Sequence, residues 1–188
     1  MDLSATPENK MKHYSSFAAA LVLLALPLLL TSCSFSNLLG GKSTVDYNNA
    51  VVEKINAASS AIEKTATLYN DLIPNKVTEK DEVDTAQMIA ASTSATDALQ
   101  DTENLATLES RNTNQQSAVR PALETYRAAA QIYLDEYQKM LTYYAGPYKD
   151  DITQVKPIDD SLHTAYTTFI EANNDLVSAL ESFLTPAP

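Results

Sequence analysis

The chain has 188 residues, 13 Lys and Arg against 24 Asp and Glu, a formal net charge of −11 and an isoelectric point near 4.5. That length fits one compact domain, and so acidic a surface with no Lys/Arg cluster excludes nucleic acid as a partner, because phosphate binders must displace counterions with basic side chains. Its single cysteine, Cys33, excludes an intrachain disulfide and a cysteine-rich metal site, so packing alone must stabilise the domain.

The N-terminus has the layout of a targeting segment. Residues 17–30 (FAAALVLLALPLLL) form an apolar run preceded by Lys10, Lys12 and His13 and followed by Thr31, Ser32 and Cys33. The run is shorter than the roughly 20 apolar residues of a membrane-spanning helix, and Pro27 weakens it further as a permanent span. Residues 1–32 are expected to be cleaved. Asp2 and Glu8 are unusual in a signal peptide, which leaves Met1 and Met11 as alternative starts.

Leu30-Thr31-Ser32-Cys33 resembles the lipobox of bacterial lipoproteins, with Leu at −3, a small residue at −1 and Cys at +1. The resemblance implies cleavage after Ser32 and a thioether-linked diacylglycerol on Cys33; the alternative is an ordinary secretory signal with an incidental Cys. Two or more acyl chains on one residue anchor firmly where one holds weakly. Ser34 in place of Asp after the anchor implies, by enteric-type sorting, the outer membrane facing the periplasm if the host is Gram-negative. Removing residues 1–32 leaves 156 residues with 11 basic and 22 acidic side chains, so the acidity belongs to the mature domain. Residues 33–43 read as the lipidated Cys and a flexible tether, interrupted by Gly40-Gly41.

Beyond the tether the spacing predicts an all-α domain over 44–184. No glycine lies between Gly41 and Gly146, which favours long helices over hairpins. A first helix over about 45–71 carries Val51, Ile55, Ala58, Ile62, Thr65, Tyr69 and Leu72 in a 4-3 rhythm, with Ser43 to Asp46 able to cap its start. Pro74-Asn75 breaks the chain.

A second helix is expected from the acidic stretch 79–84, with a weaker stripe of Met88, Ala91, Ala95, Ala98, Thr102 and Leu105, widened by Ile89, Leu99 and Leu108. The polar run 110–117 reads as a connection. Pro121 then suits the first turn of a third helix carrying Val119, Leu123, Tyr126, Ala130, Tyr133, Tyr137, Met140 and Tyr144, up to Gly146-Pro147. The fourth stripe is Ile158, Leu162, Ala165, Phe169, Ala172, Leu176, Ala179 and Phe183, with Asn173 off the stripe and expected to be exposed. It extends backwards through Val155 and Ile152 only with a kink or a restart at Pro157. Residues 185–188 read as a disordered tail. An up-down-up-down antiparallel four-helix bundle is the economical arrangement; an elongated two-helix hairpin or a coiled-coil dimer is the alternative.

The segment Tyr143-Tyr144-Ala145-Gly146-Pro147-Tyr148-Lys149-Asp150-Asp151, followed by Leu162-His163 and Phe169, resembles the YiiG-like family of bacterial lipoproteins of unknown function, as does Asp46-Tyr47-Asn48 leading to Tyr69-Asn70-Asp71. This chain departs from the family in carrying Gly146-Pro147 before Tyr148. The resemblance implies an all-helical, lipid-anchored envelope domain and supplies no reaction.

Chemistry is sparse. Di-iron bundles need two Glu-x-x-His pairs and further carboxylates, whereas the mature chain has one histidine, His163, in Asp160-Ser161-Leu162-His163. A mononuclear metal site using His163 with Asp150 and Asp151 is the enzymatic alternative, against a structural role for all three. There is no Gly-x-Ser-x-Gly elbow and no Gly-rich phosphate loop. The adjacent pairs Asp135-Glu136 and Asp159-Asp160 point about 100° apart on a helix and read as solvated faces. Tyr126, Tyr133, Tyr137 and Tyr144 read as core rings whose hydroxyls reach the edge. The chain thus reads as a non-enzymatic, membrane-anchored envelope module for an unknown protein, polymer or small ligand, with no cofactor and no metal. Its expected polar cluster or binding surface is Tyr144, Tyr148, Asp150, Asp151 and His163 at the turn between the last two helices.

Overall fold

The computed structural model describes residues 41–73, 85–146 and 152–183. The signal peptide, Cys33, the tether up to residue 40, the break at Pro74, the acidic stretch 79–84, Tyr148, Asp150, Asp151 and the tail 185–188 lie outside the described residues. The rest is all-helical: α1 is Thr44–Leu72, α2 Thr85–Gln100, α3 Thr113–Ala145 and α4 Ile152–Glu181, with a short 3-10 turn at Glu103–Thr107 between α2 and α3. Residues from all four helices share one core, so the hairpin alternative does not describe this chain.

Helix α1 starts where Ser43 caps it. The Ser43 hydroxyl accepts from the Asp46 amide at 3.1 Å and donates to the Asp46 carboxylate at 2.7 Å, which satisfies a backbone donor that has no partner inside the helix. Six of its expected stripe residues are buried and Leu72 is partly so. Asn48 and Ser59, outside the stripe, are buried as well. Helix α2 buries Met88, Ala91, Ala95 and Leu99 but stops at Gln100, earlier than its apolar spacing suggested. There the Thr102 hydroxyl donates to the Leu99 carbonyl at 2.6 Å, a local bond that competes with helix propagation. Ile89, expected to widen the stripe, is half exposed at 49 %.

Helix α3 corrects two expectations. The polar run read as a connection already belongs to the helix: Asn112 caps it by accepting from the Gln115 amide at 3.2 Å, and Gln115 is fully buried. Pro121 therefore sits two turns inside the helix rather than in its first turn. Helix α4 likewise runs through Pro157 without a restart, burying Val155 before it. Each proline removes the donor for the carbonyl four residues earlier. Pro121 and Ser117 are exposed, as are Pro157 and Thr153, so both breaks in the ladder fall on the water side.

The full α3 stripe is buried, from Val119 to Tyr144, and packs closely on α4. Tyr126 and Phe169 rings lie 5.5 Å apart, Tyr133 and Tyr166 5.4 Å, and Tyr133 and Phe169 6.3 Å. Polar contacts give the chain directions. Along α1, Asn48, Ser59 and Thr65 meet Gln115, Tyr126 and Tyr133 of α3, numbers rising together. Asn48, Ser59 and Tyr69 meet Leu180, Asn173 and Asp159 of α4, numbers running oppositely.

Replacing Tyr133 or Phe169 by Ala should lower stability by about 3–5 kcal/mol, the usual loss for a buried aromatic. Asn173→Ala is not silent as the stripe alone suggested: Asn173 is 4 % exposed and accepts from Ser59, so its loss should cost about 1–3 kcal/mol. Chemical-denaturation midpoints check the order, and an Asn173→Ala midpoint equal to wild type would contradict it.

Candidate functional site

Four polar layers cross the core between α1, α3 and α4. At one end the Ser110 hydroxyl donates to Gln115 Oε1 at 2.6 Å, Gln115 Nε2 donates to Asn48 Oδ1 at 2.6 Å and to the Thr44 carbonyl at 3.0 Å, and Asn48 Nδ2 donates to the Leu180 carbonyl at 3.0 Å. Every partner here is supplied by the chain. The second layer is a relay. Ser59 gives its only proton to Asn173 Oδ1 at 3.1 Å, so Tyr126 is the donor in the 2.9 Å bond between the two hydroxyls. In the third layer Thr65 gives its proton to the Ile62 carbonyl at 2.7 Å, so Tyr133 donates to Thr65 at 2.8 Å.

The fourth layer, at the opposite end, is different. The Tyr69 hydroxyl of α1 donates to the Asp159 carboxylate of α4. Tyr144 of α3 lies close enough for its phenol to feel Asp159, and Tyr69 in turn feels Tyr144 and Tyr133. The rings of Tyr143 and Tyr144 meet edge-on at 5.2 Å. Yet the Tyr137 and Tyr144 hydroxyls, both buried, have no hydrogen-bond partner among the described residues. Burying a Phe-sized side chain contributes about 1.5–3 kcal/mol, while an unpaired buried hydroxyl costs about 1–3 kcal/mol. The acceptors on Ser59 and Thr65 keep Tyr126 and Tyr133 clearly favourable. At Tyr137 and Tyr144 the two quantities nearly cancel, so an added acceptor there has the most to gain.

Burial holds the phenols of Tyr69, Tyr126, Tyr133, Tyr137 and Tyr144 well above the usual tyrosine range. Burial also raises Asp159 above the ordinary carboxylate range, against the lowering effect of the Tyr69 hydrogen bond; neighbouring Asp160 raises it further and Lys156 lowers it. The pair Asp159-Asp160, read as a solvated face, is split by the fold: Asp159 turns inward, while exposed Asp160 pairs with Lys156 at 2.6 Å.

Of the expected cluster, Tyr144 is at this end and buried, and its acidic neighbour is Asp159. His163 is exposed on α4, one turn beyond Asp159, and its carbonyl accepts from Thr167 at 3.0 Å. Tyr148, Asp150 and Asp151 lie outside the described residues. Among the described residues no group of three His, Cys, Asp or Glu side chains is placed to hold a metal ion, and no helix is long and apolar enough to cross a membrane. Sequence reasoning missed Asp159 and Tyr69 as partners. The available signal was that Asp159 stands three residues before Leu162 and one after Ile158, on the shoulder of the α4 stripe.

The raised Asp159 pKa fixes the sign of a pH effect. Its favourable contribution is complete below the unfolded carboxylate value of about 4 and is lost as pH rises through the higher folded value. Wild-type stability relative to Asp159→Asn should therefore increase on acidification from neutral pH towards that window. Asparagine keeps an acceptor for Tyr69 without the charge and should be the more stable form at neutral pH. Denaturation curves of both proteins across pH 4–8 test this, and parallel pH profiles would contradict it.

No family model matches the chain, and no curated protein or solved structure matches it either.

Proposed function

We propose that this chain is a lipid-anchored lipoprotein of the bacterial cell envelope, a non-enzymatic helical module that binds an envelope protein, polymer or small ligand at the Tyr69–Tyr137–Tyr144–Asp159 end. The observation that carries the reading is the buried Tyr144 hydroxyl near the half-buried Asp159 carboxylate; it has no hydrogen-bond partner among the described residues, and neither has the buried Tyr137 hydroxyl two turns earlier on α3. In the other layers the chain supplies its own acceptors; here a partner group supplies them. An amide or a sugar hydroxyl has the needed chemistry, since it accepts from a phenol and donates to a carboxylate.

An up-down-up-down antiparallel bundle is the arrangement we infer. It is supported by the parallel register of α1 with α3, the opposite register of α1 with α4, and the close packing of α2 on α1 and α3. The anchor reading rests on Leu30-Thr31-Ser32-Cys33 behind an apolar run, and the resemblance to the YiiG-like lipoproteins around Tyr143 to Asp151 supports the same envelope setting. In a Gram-negative host, Ser34 after the anchor supports a position on the periplasmic side of the outer membrane.

Cys33→Ser should release the protein from membranes or leave it uncleaved at the inner membrane, with loss of metabolic palmitate labelling. Equal labelling and fractionation in both proteins would refute the anchor. At the binding end, Tyr144→Phe removes a buried hydroxyl that has no partner among the described residues and should raise the denaturation midpoint, by up to about 1–3 kcal/mol of stability. With a photo-crosslinker at exposed Thr142 in intact cells, the same substitution should reduce capture of the partner; capture at the wild-type level would refute the site.

A further inference from the structure

The tether is shorter than the sequence suggested, because its last residues are fastened to the bundle. The Lys42 amide donates to the Glu109 carbonyl at 2.8 Å, the Arg111 amide donates to the Lys42 carbonyl at 2.9 Å, and Arg111 Nε donates to the Gly41 carbonyl at 3.1 Å. Lys42 and Ser110 thus form a parallel bridge. Gly41 has φ +93°, and a Cβ there would meet the Arg111 nitrogen and the Ser110 carbonyl carbon at 3.2 Å each, so glycine is needed both for the backbone turn and for the close approach. The chain therefore leaves the bundle at a fixed point, beside the Asn48–Gln115–Leu180 layer and opposite the tyrosine end.

We propose that this clamp orients the bundle end-on to the bilayer, with the Asn48–Gln115–Leu180 end against the lipid surface and the Tyr69–Tyr144–Asp159 end held away from it. The inference rests on lipidation of Cys33. Eight residues, 33 to 40, separate the anchor from the clamp, and a chain of that length can reach at most about 29 Å. Helix α1 has 29 residues and a length of about 43 Å. Even at full stretch the link is shorter than the bundle, so the clamped end is the end held near the lipid. At the clamped end Val45 is 50 % exposed, an apolar side chain suited to the edge of the acyl layer. The cations Lys42 and Arg111 there are offset by exposed Asp46, Glu109 and Glu181, so the attachment rests on the tether and not on charge.

The test uses the lipidated full chain in vesicles of phosphatidylethanolamine and phosphatidylglycerol bearing a headgroup-labelled acceptor lipid. Donor dye is placed by Asn114→Cys at the clamped end or Thr142→Cys at the far end, both exposed positions that stand about 42 Å apart along α3; with Cys33 lipidated, only the new thiol reacts. Energy transfer should be severalfold higher from position 114 than from position 142. In a Gly41→Val background, with helicity unchanged, the difference should shrink. Co-flotation with vesicles is read on the same samples: protein that does not float refutes the anchor reading and the orientation with it. Protein that floats but transfers equally from both ends overturns the orientation alone, as does a Gly41→Val background that leaves the difference intact.

Discussion

A tyrosine on the buried face of a helix brings a hydroxyl into the core that must be answered from another helix. Helix α3 carries five buried tyrosines, Tyr126, Tyr133, Tyr137, Tyr143 and Tyr144, and the placement of α1 depends on the first two. Ser59 and Thr65 accept from Tyr126 and Tyr133 only if α1 runs parallel to α3 at one particular height. Shifting α1 by a turn would take Ser59 and Thr65 away from the two phenols, and each hydroxyl left unpaired would cost about 1–3 kcal/mol. That is a large fraction of the net stability of a small domain, about 5–15 kcal/mol. Apolar packing holds the helices together, and the hydroxyls set their height.

The apolar part of this plan was legible in the sequence. All eight α3 stripe positions are buried, and the caps at Ser43 and the stop near Gly146 follow from residue type alone. The polar part was not. Asn48, Ser59, Gln115 and Asn173 are buried because each meets a partner at least 67 positions away in sequence, and a periodicity search assigns such residues to the surface. The start of α3 was hidden for the same reason: Gln115 looks like loop chemistry until Asn48 and Thr44 stand opposite it. The pattern Asn112 to Gln115, a cap residue followed three positions later by Gln, was the local clue.

The candidate site shows the same division. Tyr144 was visible as the last member of a stripe, but its acidic neighbour comes from Asp159, a residue whose adjacency to Asp160 suggested a solvated pair. Helical geometry separates neighbours by about 100°, so one member of such a pair is free to face inward when the opposite helix offers a donor, as Tyr69 does here. Exposure of His163 follows from the same geometry, since it is one position past Leu162, which is fully buried. Two prolines inside long helices are tolerated because both sit on the water side, where a carbonyl without its helical donor can still be hydrated.

Along α4 the positions that meet α1 or α3 in the core recur every seven residues: Asp159, Tyr166, Asn173 and Leu180. A repeat of that length invites helices to slip past one another by two turns, because the apolar surface looks nearly the same after the slip. In this chain every rung of the repeat differs in kind, offering in turn a carboxylate, a phenol, an amide and a backbone carbonyl beside an aliphatic side chain. A two-turn slip one way would set Tyr166 against Ser59 and Asn173 against Asn48 in place of the Leu180 carbonyl, and the other way would set Tyr166 against Tyr69 in place of Asp159. The heptad thus works as a key with unlike teeth, so the misregistered bundles most accessible to a folding chain are the ones it discriminates against most strongly.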